Sequence, residues 1–264
     1  MAEDRSVLDR PAAPPDGVVA YGKHPDQVID VWYGGGAAPV VVLLHGGFWR
    51  PQWDRTHLRP MAQALRDAGW TVAVPEYRRE PGNPDVTVAD VRAALRALPA
   101  LLGERYDAGR PPAPVVAGHS AGGHLALLTA VPVADQAEAR SGADPGRATP
   151  GPPPRGVLAL APVADMVLAE RLDLDDGAVV DFLGTSAPAR EDLDPVRLGE
   201  PVVPVTVLHG TADDRVPAEV SASYAEGRDD VRLVPAPGVD HFALIDPASA
   251  AWTLVVDELR RLSE

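Results

Sequence analysis

The pentapeptide Gly-His-Ser-Ala-Gly at residues 118–122 decides the fold of this 264-residue chain. It follows the apolar run Pro-Val-Val-Ala at 114–117 and precedes a helix-like run, His-Leu-Ala-Leu-Leu, at 124–128. A serine between two glycines, at the junction of a strand and a helix, is typical of a sharp turn that presents the hydroxyl at the sheet edge. Glycines flank it because side chains there would collide with neighbouring backbone. The pattern predicts that Ser120 is a nucleophile at a helix N-terminus.

A nucleophilic serine needs a base, a carboxylate that orients the base, and an oxyanion hole. Candidates for each follow other predicted strands. The stretch 205–217 is a buried strand ending in a turn that carries Asp213 and Asp214, and His241 lies in a loop after the next strand. Upstream, 40–49 is an apolar strand that runs into His-Gly-Gly-Phe-Trp. The chain order of serine, acid and histidine is that of α/β-hydrolases.

Two adjacent carboxylates compete for the role of the acid. Asp213 and Asp214 follow the same strand, so backbone geometry does not separate them in the sequence. Asp240 and Asp165 are weaker rivals. Asp240 is next to His241, but adjacent residues point their side chains apart.

Other residues at this edge are candidates for structural or pocket roles. His45 is expected to orient the loop that follows its strand rather than to act as the base. His119 and His209 are expected to be structural. Four aromatic residues on the same loops are candidates for a substrate pocket: Trp49, Tyr77, Phe182 and Phe242.

From Val28 to Leu262 the chain resembles an α/β-hydrolase of the esterase and lipase superfamily. The His-Gly-Gly-Phe-Trp stretch at 45–49 matches the H-G-G-x-W motif of the kynurenine formamidase (arylformamidase) group, which many small carboxylesterases share. This resemblance implies an oxyanion hole built from the main-chain amides of Gly47 and Phe48. The amide after the nucleophile, that of Ala121, adds a third donor.

A second resemblance concerns the acid. The His-Gly-Thr-Ala-Asp-Asp stretch at 209–214 is similar to prolyl-oligopeptidase-type hydrolases, in which the first Asp of the pair orients the histidine. That resemblance favours Asp213. The predicted catalytic residues are therefore Ser120, Asp213 and His241.

The alternation of strands and helices predicts an α/β fold with a mainly parallel sheet and helices on both faces. Ligands then bind at the carboxyl ends of the strands. Residues 1–17 are predicted to be a flexible lead-in, and 18–264 a single domain with a small helical insertion, or cap, at about 162–200. Residues 28–33 are predicted to be an early antiparallel strand, and the Pro- and Gly-rich residues 141–156 a surface loop.

Net charge and composition indicate which classes of partner and cofactor the chain is expected to bind. The net charge of −14 argues against nucleic acid and anionic membranes, which attract basic surfaces. The absence of Cys excludes disulfides and Cys-ligated zinc, and no histidine pattern indicates a metal, so neither a metal nor another cofactor is expected. The first five residues have neither the basic nor the apolar region of a signal peptide, so none is expected, and no apolar run reaches membrane-spanning length. A cytoplasmic monomer or homodimer is expected.

These features predict a metal-independent serine hydrolase that cleaves a small ester or amide through an acyl-enzyme. Carboxylesterase and aryl formamidase are the main possibilities. N-formylkynurenine formamidase is the specific alternative, and a peptidase-like aminoacyl hydrolase is another. A non-catalytic small-molecule-binding protein on a hydrolase scaffold is the alternative from a different class.

Overall fold

The structure is a computed structural model, and it describes residues 3–35, 38–106, 109, 111–132 and 153–264. Most of the predicted loop at 141–156 lies outside them. The strands are β1 Gly17–Ala20, β2 Val28–Trp32, β3 Val40–Leu44, β4 Thr71–Pro75, β5 Val115–His119, β6 Gly156–Leu160, β7 Val205–Gly210 and β8 Val231–Ala236. The α-helices are α1 Arg59–Asp67, α2 Pro84–Leu102, α3 Ala121–Leu127, α4 Met166–Arg171, α5 Ala178–Leu183, α6 Ala218–Ala225 and α7 Trp252–Ser263.

The described residues form an eight-stranded sheet in the order β1-β2-β4-β3-β5-β6-β7-β8. β2 runs antiparallel to β1 and β4, and every later pair in that order is parallel. The predictions of a mainly parallel sheet and of an early antiparallel strand are thus confirmed. Because the parallel strands share one direction, the loops that follow them meet at one edge of the sheet.

The sheet is covered on both faces, which explains the continuous apolar runs of its central strands. In β3, Val40, Val42 and Leu44 pack into one core with residues of α2, α3 and α6. Val41 and Leu43 point to the opposite face and pack with residues of α1 and α7. This alternation follows from the two-residue period of a strand.

The first residues of the chain contain an element that the sequence pattern does not indicate. β1 pairs with β2 at the edge of the sheet, where its side chains alternate between half-buried and exposed. Before it, Val7 lies in the core on the α1 side and Arg10 forms an ion pair with Asp246. The mobility predicted for residues 1–17 stays a prediction.

Residues 162–200, hereafter the insertion, contain α4, α5 and short 3-10 turns. A buried carboxylate, that of Asp194, joins its two ends: Oδ1 accepts a hydrogen bond of 3.0 Å from the amide of Met166. Its other oxygen, Oδ2, is buried without a hydrogen-bond partner among the described residues. Burial and the nearby charge of Asp165 raise the pKa of Asp194 to about 6, although the hydrogen bond from Met166 acts to lower it.

Replacing Asp194 with Asn is expected to stabilise the protein above about pH 6. A carboxyl whose folded-state pKa is raised disfavours folding progressively as pH rises from about 4 to about 6, and the cost persists above that range. Asn stays neutral, so the free energy of unfolding at about pH 8 should rise by up to about 3 kcal/mol. Thermal melts across pH measure this. The control is Asp230→Asn, because Asp230 is exposed. If Asp194→Asn raised the melting temperature as much at about pH 4 as at about pH 8, the explanation would be wrong.

Candidate active site

Ser120 occupies the sharp turn between β5 and α3. Its φ of 56° and ψ of −119° lie in a region that a non-glycine residue rarely adopts, as expected for a strained elbow. The amide of Ser120 donates to the carbonyl of Leu160 on β6, at 2.8 Å, and this bond holds the turn against the sheet. A Cβ at Gly122 would lie 2.1 Å from the carbonyl oxygen of Leu44, so the helix can approach β3 only if residue 122 is glycine.

The histidine and the acid predicted from the sequence form a buried pair at the same edge. Nδ1 of His241 lies 2.6 Å from Oδ2 of Asp213, whose side chain has no exposed surface. The other oxygen of Asp213 accepts from the amides of Arg215 and Val216, both at 2.8 Å. Burial acts to raise the pKa of Asp213, but hydrogen bonds from His209 and His241 outweigh it and hold that pKa well below its usual value. Asp213 is therefore ionised at neutral pH.

The loop carrying His241 is tied to the elbow. Nε2 of His119, the residue before Ser120, lies 3.0 Å from the carbonyl oxygen of His241, and the two rings are 4.4 Å apart. Burial, together with the neighbouring His241, lowers the pKa of His119 well below its usual range, so the neutral ring donates through Nε2. No hydrogen bond among the described residues uses Nε2 of His241 or the hydroxyl of Ser120.

The other three candidate carboxylates have different surroundings. Asp214 is exposed. Asp240 accepts from the amide of Ala243 at 2.9 Å, and so closes its own turn. Asp165 accepts from the amide of Leu168 at 2.8 Å and caps α4. The structure thus brings Asp213, rather than its neighbour in sequence, against the histidine.

The loop after β3 passes directly beside the elbow. A Cβ at Gly46 would lie 3.1 Å from the Cβ of Ser120. Gly47 has a φ of 105°, which favours glycine, and Phe48 follows at 49°. Among the described residues, the amides of Gly47, Phe48 and Ala121 donate no hydrogen bond to the protein. These are the three amides that the sequence predicts as oxyanion donors.

A cluster of buried polar side chains forms hydrogen bonds at the start of the loop after β3. Nε2 of His45 lies 3.0 Å from a carboxylate oxygen of Glu76, and Nδ1 lies 2.8 Å from the carbonyl oxygen of Gly46. The ring of Tyr77 stacks on His45 at 4.2 Å, and its hydroxyl donates to the His45 carbonyl at 2.5 Å. Burial acts to raise the pKa of Glu76, but the hydrogen bond from His45 and the charge of Arg79 lower it overall. His45 thus braces the loop, as expected, and is not joined to His241.

The four predicted pocket aromatics fall into two groups. Trp49 and Phe182 are buried and stack on each other at 4.4 Å, and Tyr77 is fully buried. Phe242 is half-buried, and its ring meets that of His241 edge-on at 5.2 Å. Only Phe242 of the four therefore contacts the candidate base, and the role of the others in a substrate pocket stays a prediction.

Sequence reasoning missed the link between the insertion and the loop after β3. Nε of Arg50 lies 2.8 Å from Oδ2 of Asp175, and its NH1 lies 3.1 Å from Asp181. The partners are separated by 125 and 131 residues, so no local pattern could have indicated them. Ion pairs therefore connect the insertion to the loop after β3.

The part of the chain that the structure describes bears on metal binding and on membrane insertion. It contains no group of three or more His, Asp or Glu side chains placed to hold a metal ion. None of its helices combines the length and the apolar character that crossing a membrane requires.

The family is decided by a match over more than half of the chain. The BD-FAE family model matches residues 33–227. This chain belongs to the BD-FAE family. The matched part of this BD-FAE family member contains Ser120 and Asp213, and His241 follows it.

Two curated relatives match almost the whole chain. A probable carboxylic ester hydrolase of Mycobacterium tuberculosis, LipM, is 29% identical over 92% of this chain and 60% of its own length. Esterase LipC of the same organism is 28% identical over 92% of this chain and 65% of its own length. The chain thus spans less than two thirds of the length of either relative.

Solved structures agree on the fold. Esterase B of Lactobacillus rhamnosis is similar over 98% of this chain and 90% of its own, with a TM-score of 0.70 and 21% identity. An esterase of Thermogutta terrifontis is similar over 94% and 91%, with a TM-score of 0.64 and 23% identity. The predicted α/β-hydrolase fold is confirmed. The resemblance to arylformamidases is not shown by these matches and stays a prediction.

Proposed function

We propose that this protein is a serine esterase that hydrolyses a small carboxylic ester through an acyl-enzyme. The observation that carries the proposal is the 2.6 Å hydrogen bond between Asp213 and His241 beside the strained elbow of Ser120. A buried, ionised acid against a histidine orients that ring as a general base and stabilises the imidazolium that forms when the base accepts a proton. Two relatives named as ester hydrolases support the same reaction class.

In the proposed mechanism, Asp213 holds the proton of the His241 ring on Nδ1, which leaves Nε2 as the base. Nε2 takes the proton of the Ser120 hydroxyl as its oxygen attacks the ester carbonyl. The imidazolium then gives that proton to the departing alcohol. Water, activated by the same nitrogen, attacks the acyl-enzyme and releases the acid, and Ser120 regains its proton.

The negative charge of each tetrahedral intermediate needs donors that are already in place. The amides of Gly47, Phe48 and Ala121 suit this role because they border the elbow and have no other partner among the described residues. The N-terminus of α3 adds its positive dipole end. Losing one such donor typically costs about 3–4 kcal/mol of transition-state stabilisation.

Probe labelling combined with turnover tests this proposal. Purified protein is incubated with an organophosphonate probe and assayed against p-nitrophenyl acetate and butyrate. We expect covalent labelling at Ser120 and hydrolysis of both esters, because only an activated serine reacts with the probe. A non-catalytic binding protein on this scaffold would give neither. Labelling of a residue other than Ser120 would refute the assignment of the nucleophile.

Aryl formamides are a second candidate substrate class, favoured by the His-Gly-Gly-Phe-Trp stretch at 45–49. A formyl group is the smallest acyl group, so such a substrate requires little room on the acyl side. Comparing kcat/KM for N-formylkynurenine with that for p-nitrophenyl acetate separates the two classes. Turnover of the esters without turnover of the formamide would reject the formamidase and leave the esterase.

A further inference from the structure

The carboxylate of Asp213 is in contact with more than His241. Nε2 of a second buried histidine, His209, lies 3.4 Å from the same Oδ2 atom that His241 contacts. The other oxygen already accepts from two main-chain amides of the acid loop. Each oxygen of this carboxylate therefore faces two donors. His209 and the candidate base, His241, face the same oxygen, Oδ2.

The groups on the two sides of the His209 ring show which nitrogen carries the proton. Nδ1 lies 2.6 Å from the hydroxyl oxygen of Ser221 on α6, and Nε2 lies 2.8 Å from the carbonyl oxygen of Val216. Nε2 thus faces only a carbonyl and a carboxylate, which can accept but not donate. Nε2 must carry the proton, and in the neutral ring Nδ1 accepts from the Ser221 hydroxyl.

We propose that Ser221 and His209 are positioning residues that fix Asp213 and share its negative charge. The proposal rests on the proposed function, because it acts through the Asp213–His241 pair. The hydroxyl of Ser221 donates to Nδ1 of His209 and stabilises the tautomer that the two acceptors at Nε2 require. His209 then donates from Nε2 to the acid loop at Val216 and towards Oδ2 of Asp213. The chain Ser221–His209–Asp213–His241 runs from α6 to the catalytic edge, and Ser221, His209 and His241 are almost fully buried.

This arrangement affects the proton affinity of the candidate base. A donor beside Oδ2 draws part of the charge of Asp213 away from His241. Without that donor, His241 faces the full charge and holds its proton more tightly. The loss should therefore appear in the acid limb of the pH profile of kcat/KM, which reports the ionisation of the free enzyme's base. A residue that only fills space would not move this limb.

The variants separate the effect of the His209 N–H donor from the effect of the space that its ring fills. His209→Phe keeps a planar ring and removes both nitrogens, whereas His209→Gln keeps an N–H donor on a chain of similar reach. Ser221→Ala leaves the ring and removes the hydroxyl that donates to Nδ1 and stabilises this tautomer. Assays use p-nitrophenyl acetate over a range of pH, and each kcat is divided by the fraction of sites that an organophosphonate titrates. This division removes the contribution of misfolded protein.

For His209→Phe we expect kcat per titrated site to fall by roughly ten- to a hundredfold, the range seen when hydrogen-bond partners of metal-ligating side chains are removed. The acid limb should move to higher pH. Ser221→Ala should move it in the same direction by less, and His209→Gln should bring it back towards the wild-type position. His124→Phe is the matched control. That histidine is fully buried and its Nε2 lies 2.8 Å from the Leu193 carbonyl, but it does not contact Asp213.

An acid limb that stays at the wild-type position in both His209→Phe and Ser221→Ala would overturn the inference. So would an equal displacement in His209→Gln, because the N–H would then not be the cause. Neither result would contradict the proposed function. That proposal fails separately if Ser120 is not the labelled residue, and in that case no triad remains for His209 to position.

Discussion

Replacing Ser120 with Ala is expected to abolish ester hydrolysis and to leave the fold intact. The substitution removes the oxygen that would form the acyl-enzyme, and loss of a triad member typically costs about 10⁴- to 10⁶-fold in kcat. Stability should change little. The Ser120 hydroxyl makes no hydrogen bond among the residues that the structure describes, and Ala carries the same backbone strain at a φ of 56° as Ser. Steady-state kinetics with p-nitrophenyl acetate and a thermal melt measure both expectations.

The control for this variant is Ser263→Ala, at the end of α7, whose hydroxyl donates to the Leu259 carbonyl at 2.7 Å. It removes one serine hydroxyl in the same way but lies on the last helix of the chain. It should keep wild-type kcat. If Ser120→Ala also kept most of the activity while its melt stayed normal, Ser120 would not be the nucleophile and the proposed mechanism would be wrong.

Replacing the carboxylate at 213 and replacing the one at 214 are expected to have very different effects on kcat. Asp213→Asn should lower kcat on the order of 10⁴-fold, because an amide at this position no longer holds the proton of His241 on Nδ1 or stabilises the imidazolium. Asp214→Asn should leave kcat nearly unchanged, because Asp214 is exposed. The two variants make the same chemical change one residue apart, so each serves as the control of the other.

Stability must be separated from catalysis in this pair. The pKa of Asp213 is lowered on folding, so its ionised form stabilises the folded state above the unfolded-state pKa, and this contribution is lost as pH falls. Asp213→Asn should therefore also melt at a lower temperature near neutral pH. Kinetics per titrated site isolate the catalytic loss. A larger loss in Asp214→Asn than in Asp213→Asn would assign the role to Asp214.

Much of the fold follows from local pattern. The apolar run at 40–44 is buried on both faces, and this burial removes the polar alternation of a one-sided strand. β1 has only four residues at the edge of the sheet, a length at which alternation is too short to indicate a strand. Ser120 could be singled out because a strained turn into a helix requires glycines at fixed positions beside it.

From β2 onward, the sequence by itself determined the order of strands and helices, the elbow of Ser120 and the regions that supply the candidate acid and histidine. Only the tertiary structure decided that Asp213 turns inward while Asp214 stays exposed. It also buried three of the four candidate pocket aromatics and brought His209 against Asp213. Local pattern records which residue types follow a strand. The direction of each side chain depends on loops from distant parts of the chain that pack against it, as the loop of His241 packs against His119.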